Sequence, residues 1–155
     1  AMHLATMRVM QGAVPAAVAG TAQTLLAAGI GAVEAILFTH HHADHVMGTD
    51  ETRVLNRITG KPLPIYGMAR TLDNLRQRFD YAFLPAIGPW FFRPALEATE
   101  VTPGEAVDIA GLPITLFSQD HAVMETLGLR IGGLVHALAA GHRAGRAPCW
   151  PAGRP

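Results

Sequence analysis

Short apolar runs, punctuated by glycine and proline, set the elements this chain predicts. Val33 to Phe38 is apolar except at Glu34 and predicts a buried strand. Thr71 to Tyr81 places Leu72, Leu75 and Phe79 on one face and Arg76 and Gln77 on another. That is the spacing of an amphipathic helix, which Thr71 can cap. Thr21 to Ala28 predicts a short helix ended by Gly29 and Gly31, and Asp50 to Ile58 a helix closed by Gly60. Leu63 to Tyr66 predicts a short strand, which Pro64 places near a sheet edge because proline donates no hydrogen bond. Ala106 to Ile109, Ile114 to Ser118 and Leu127 to Ile131 predict further strands, the first two parted by a turn at Gly111. Leu84 to Pro94 is aromatic and proline-rich and reads as an ordered loop. Strands interleaved with helices argue an α/β fold.

The first predicted strand runs into Phe38-Thr39-His40-His41-His42-Ala43-Asp44-His45. In extended chain, residues two apart project to one side, so His40 and His42 can reach one metal ion while His41 points away. A turn into helix at Asp44 opens Asp44 and His45 toward a second ion. Imidazole and carboxylate donors suit zinc, and also manganese or iron. Two neighbouring ions can share a hydroxide and clamp a phosphoester or acyl transition state, which points to a hydrolase.

Composition narrows the class. A chain of 155 residues, half of them apolar, makes one domain at most and has enough apolar residues for a core. Formal net charge is zero, so no electrostatic argument favours nucleic acid or an anionic membrane. The single cysteine, Cys149, cannot form an internal disulfide and fits a reducing cytoplasm. No segment is long and apolar enough to span a bilayer, and the N-terminal stretch is a poor signal peptide. Eleven arginines against the single Lys61, beside 26 alanines, speak of a GC-rich genome rather than of a function.

The His-x-His-x-Asp-His run resembles that of the metallo-β-lactamase superfamily. Gly48-Thr49-Asp50-Glu51, Arg53, Leu63-Pro64-Ile65-Tyr66-Gly67, Arg78-Phe79-Asp80-Tyr81-Ala82-Phe83, Gln119-Asp120-His121 and Thr126 to Gly132 are similar to its phosphoribosyl cyclic phosphodiesterase branch. The resemblance spans about Thr24 to Gly132. It implies part of a four-layer αββα sandwich. It also implies that His40, His42 and His121 hold one zinc or manganese ion, and Asp44 and His45 a second. Asp44 would orient the attacking hydroxide, and the substrate would be a small cyclic phosphate or related phosphoester. Asp120 reads as a solvated or supporting carboxylate, and His41 as a neighbour. Asp50, Glu51 and Arg53 read as helix-start charges. Phe79, Tyr81, Phe83, Trp90, Phe91 and Phe92 read as core or as a lid over the site.

The chain also departs from that family. Only 39 residues precede His40, and no acidic residue follows Glu125 to bridge two ions. His136 and His142 match no family position. The expected division is a partial domain over 1–132 and a poorly ordered tail over 133–155, with the chain a fragment whose tail is frameshifted after Gly132. Missing strands would leave an open sheet edge that promotes self-association. The alternatives to an active phosphodiesterase are an incomplete, non-catalytic metal-binding fragment, and another hydrolase of the superfamily.

Overall fold

The computed structural model describes residues 5–7, 16–17, 33–52, 59–85 and 95–137. The helix expected at 21–28, positions 53–58 of the helix expected at 50–58 (Arg53 among them), and positions 86–94 of the expected loop, with Trp90, Phe91 and Phe92, lie outside these residues.

Two sheets carry the architecture. The first has strand order β2-β1-β3-β4-β5, from β1 (Ala5–Met7), β2 (Ala16–Ala17), β3 (Ala35–Leu37), β4 (Leu63–Gly67) and β5 (Leu96–Glu100). β3, β4 and β5 run parallel, whereas β1 is antiparallel to both β2 and β3. The second is the antiparallel ladder β6 (Ala106–Ile109), β7 (Leu112–Asp120), β8 (Glu125–Ile131) and β9 (Leu134–His136). Helices α1 (Ala43–Val46) and α2 (Ala69–Arg78) follow β3 and β4, and 3-10 turns span Met47–Thr52 and Asp80–Ala82.

Alternation along β3 explains the layering. Ile36 and Phe38 enter a core with Val46, Ile65, Leu72, Leu75 and Phe79, on the helical side of the first sheet. Ala35 and Leu37 enter a second core with Ile109, Ile114, Leu116, Leu127 and Leu129, between the two sheets. A strand buried on both faces must be apolar throughout, which is what Ala35 to Phe38 encode, the exposed Glu34 lying just before the strand. Each of the valine, isoleucine, leucine and phenylalanine side chains, fully buried, contributes about 1.5–3 kcal/mol relative to exposure. The layers described are helix, sheet and sheet, three of an αββα sandwich.

Several expectations change. β4 lies between β3 and β5, not at an edge. Pro64 is tolerated because its missing N–H would face β3 just before the parallel pairing begins at Ile36↔Ile65. Helix α2 starts at Ala69 with Met68 as its N-cap, and Thr71 is a buried first-turn residue that caps nothing. It stops at Arg78, where Phe79 leaves helical geometry. Its predicted apolar face is correct: Leu72, Leu75 and Phe79 are buried. Asp50 falls in a 3-10 turn rather than opening a helix, although Gly60 does adopt the left-handed conformation of a helix end, with φ 67°. β5 was not expected, and β9 extends the second sheet into the stretch expected to hold little structure. Among the described residues no helix is long and apolar enough to cross a membrane.

Candidate metal centre

β3 and β4 are parallel, so the segments leaving their carboxyl ends emerge on the same edge of the sheet, the usual place for a ligand in such folds. The segment after β3 carries His40 to His45. Thr39 anchors it. Its carbonyl accepts a hydrogen bond from the Leu127 N–H at 3.0 Å, tying the end of β3 to β8 of the other sheet. Its hydroxyl lies 3.1 Å from His40 Nδ1. That leaves the other ring nitrogen of His40, Nε2, to face His42 Nδ1 at 3.0 Å.

The third imidazole arrives from the opposite sheet. β7 and β8 form a hairpin whose tip is His121 to Met124, closed by the His121 N–H to the Met124 carbonyl at 2.9 Å. Ala122 turns this tip in the left-handed region, φ 60°, which costs a residue with a Cβ on the order of 1 kcal/mol. Asp120 accepts the Ala122 N–H at 3.0 Å, so its carboxylate shapes the turn. The result places ligand atoms of His40, His42 and His121 within 4.8 Å of one another. Nδ1 of His121 is buried with no hydrogen-bond partner.

Asp44 and His45 are held differently. The His45 ring centroid is 4.1 Å from that of His40 and its side chain is nearly buried. Asp44 Oδ2 lies 3.5 Å from His45 Nε2, on a side chain that is 59% exposed. Neither belongs to the close group of three. Of the five donors the sequence singles out, three converge and two stand beside them.

Burial and the surrounding imidazoles His45, His42 and His121 push the His40 pKa down to about 3, against a smaller opposite pull from Asp44. His40 is therefore neutral at physiological pH, with a lone pair free for coordination. His41 stands outside the close group, its ring centroid 6.3 Å from that of His42. Burial first, then Arg70, His42 and Arg78, lower its pKa as well. It borders a groove of about 280 Å³ with Met68, Arg70, Thr71, Glu100 and Glu125.

Other sequence candidates have structural partners. Arg76 pairs with Asp73 at 3.0 Å on the exposed face of α2. Arg130 donates from Nε to the Gly132 carbonyl at 2.8 Å. Asp50 accepts a 2.6 Å hydrogen bond from the Tyr81 hydroxyl. That bond and the two roles of Thr39 were missed by sequence reasoning. No local spacing signals the Tyr81–Asp50 bond or the Leu127–Thr39 bond, because each joins elements distant in the chain.

Residues 8–144 match the family described as the beta-lactamase superfamily domain. An octanoyltransferase of Porphyromonas gingivalis is 34% identical over 110 residues, 71% of this chain and 22% of that protein. A ribonuclease Z of Mycobacterium bovis is 32% identical over 127 residues, 72% of this chain and 45% of its own length. Among solved structures, a diphosphatase of the PhnP family superposes with a TM-score of 0.62 at 30% identity, covering 75% of this chain and 43% of that one. The chain thus spans less than half the length of each of these relatives.

Proposed function

The chain belongs to the beta-lactamase superfamily, and on that premise we propose that it is a metal-dependent hydrolase of phosphoesters. The observation that carries this reading is the convergence of His40, His42 and His121. Two nitrogens bound to one tetrahedral zinc stand about 3.3 Å apart, from bond lengths of about 2.0–2.1 Å. The 3.0 Å between His40 Nε2 and His42 Nδ1 suits such sharing. A buried ring nitrogen without a partner on His121 is the kind of group a cation satisfies. The donor set therefore fits a divalent ion such as zinc, with manganese an alternative.

A divalent ion bound there would lower the pKa of water toward neutrality and offset the charge that grows on phosphoryl oxygens. The protein's own contribution is orientation and proton transfer. His40, neutral and locked by Thr39, presents Nε2 to the cluster. Asp44, open to solvent beside His45, accepts the proton of the attacking water at its carboxylate. His45 holds that carboxylate from the side, and the pair supplies donors for a second ion. The groove beside His41 receives the remainder of a small substrate. A cyclic phosphate is the finer proposal, supported by the flanking segments that resemble the phosphodiesterase branch. The lone Cys149 supports a cytoplasmic setting.

A second reading has its own observation: among the described residues the close group numbers three, with Asp44 and His45 beside it rather than in it. On that reading the chain binds one ion and turns nothing over. Metal content after dialysis against zinc, with turnover of bis(p-nitrophenyl) phosphate and of a ribose cyclic phosphate, separates them. Bound zinc with hydrolysis supports the enzyme, one ion without hydrolysis supports the second reading, and no bound ion sinks both.

A further inference from the structure

The donor pair Asp44–His45 rides on a very short element. Helix α1 is four residues long and its N-cap, His42, makes no side-chain cap bond. One isolated turn is far below the length at which a helix holds itself in water. Its continuation is braced internally, since the Thr49 hydroxyl donates to the Val46 carbonyl at 2.6 Å and the Thr52 hydroxyl to the Thr49 carbonyl at 2.6 Å. Residues 43–52 are thus tied turn to turn, and their direction against the sheet must be fixed from outside the segment. Val46, fully buried, gives it an apolar footing. Apolar contact resists lifting but fixes direction poorly.

Tyr81 supplies direction. Its hydroxyl donates to Asp50 Oδ1 at 2.6 Å across 31 positions of sequence. Its platform is firm. Asp80 accepts the Tyr81 N–H at 2.6 Å. The neighbouring Ala82 is hydrogen-bonded back to Phe79 at 2.8 Å and forward to Ala95, just before β5, at 2.8 Å. The Tyr81 ring packs against the core that includes Val46. A bond to an ionised acceptor is worth about twice a neutral one, and it is directional.

We infer that Tyr81 and Asp50 are positioning residues: their hydrogen bond fixes α1, and through it the aim of Asp44 and His45 beside the His40, His42 and His121 group. The inference rests on the functional reading only for its metal consequence. The mechanical claim concerns the metal-free chain.

Hydrogen exchange on the full metal-free chain tests the mechanical claim. Tyr81→Phe keeps the ring and removes the hydroxyl. It should speed exchange of the amides in 43–52 by about tenfold, the effect of losing a bond to a charged group, and leave β7 and β8 unchanged. Asp50→Asn, which keeps an oxygen acceptor, should stay within about threefold of wild type, and Asp50→Ala should speed exchange in 43–52 at least as much as Tyr81→Phe. Zinc titration and turnover of bis(p-nitrophenyl) phosphate read the consequence. Tyr81→Phe should leave the first ion's affinity intact, weaken a second by about tenfold and lower kcat at constant KM. Uniform acceleration of exchange across the chain, or none, overturns the inference, as does equal weakening of both ions. A wild-type chain that takes up no ion sinks the metal reading instead, and the exchange result then decides the positioning claim on its own.

Discussion

Two arms bring imidazoles to one point, and they are built on opposite principles. The arm after β3 ends an interior parallel strand buried on both faces, and its first histidine is 0% exposed. The β7–β8 arm is a hairpin whose tip turns through a left-handed alanine, with His121 half-buried. The first arm is fixed by packing, the second by turn geometry. A site spanning both sheets therefore depends on the backbone bond from Leu127 to Thr39, which joins them directly beside His40.

The largest effect should be common to both arms. His40→Ala and His121→Ala should each lower zinc affinity by more than about 100-fold, beyond the loss typical for a group that merely supports a ligand. Isothermal calorimetry reads this. The arms should then part company in the metal-free protein. His40→Ala empties a buried position and should destabilise the fold by about 2 kcal/mol, whereas His121→Ala removes a buried, unpartnered nitrogen and should change stability by under about 0.5 kcal/mol. Equal losses of stability would erase the distinction.

Acid should act through the first arm. With its folded pKa at about 3 against 6.5 in the open chain, His40 binds a proton more readily when unfolded. Its contribution is complete above pH 6.5 and is lost as pH falls from 6.5 toward 3. The slope is about 1.4 kcal/mol per pH unit for one group, so metal-free protein should be roughly 2–3 kcal/mol less stable at pH 4.5 than at pH 7. Urea midpoints at the two pH values measure it, and His40→Asn should remove this component from the drop. An unchanged drop in that variant would assign the acid sensitivity elsewhere.

How far the sequence foretold each arm follows from the same physics. β3 and its donors were legible because burial on both faces demands consecutive apolar residues, here Ala35 to Phe38, and shared coordination demands alternation over nearby residues. Both are local signals. β5 was invisible: of Leu96 to Glu100 only Leu96 is fully buried, and Glu97, Thr99 and Glu100 are exposed, so the segment reads as polar. The interior place of β4 depends on a register with β3 that no property of Leu63 to Gly67 encodes. His121 was found through resemblance, since its approach to His40 depends on the pairing Gln119↔Thr126 and Asp120↔Glu125 across the hairpin. Thr71 misled because threonine caps a helix only where the preceding chain is extended, and here that chain breaks at Met68.

The hairpin arm is also where a small residue is required. Phe117 lies directly across from Gly128, and a Cβ built on Gly128 would collide with the phenyl ring. Gly128→Ala should therefore lower stability by about 1–2 kcal/mol, with the ring forced off the strand. In a Phe117→Ala background the same change should be neutral or mildly stabilising, because the obstacle is gone and alanine restricts the unfolded chain. Thermal melts of the four variants form a cycle whose coupling is the clash itself. Additive effects would mean that the ring is not what the glycine accommodates.

The smallest effect is the most discriminating. Ala122 and Ala110 adopt nearly the same left-handed conformation, φ 60° and 53°, at the tips of successive hairpins. Ala110, with Gly111 at φ 82°, turns β6 into β7 and carries no donor. Glycine relieves the Cβ strain at either site but frees the unfolded chain, so each Ala→Gly change should raise metal-free stability by about 0.5 kcal/mol. On stability alone the two hairpins are equivalent. They should differ in metal binding, because the tip at Ala122 sets the aim of His121 and a more permissive backbone gives up some of that preorganisation. Ala122→Gly should weaken zinc two- to threefold, about 0.5 kcal/mol, while Ala110→Gly leaves it unchanged. If both variants bind zinc like the parent, the left-handed alanine beside His121 is a turn like any other, and the hairpin arm owes its aim to the Leu127–Thr39 bond instead.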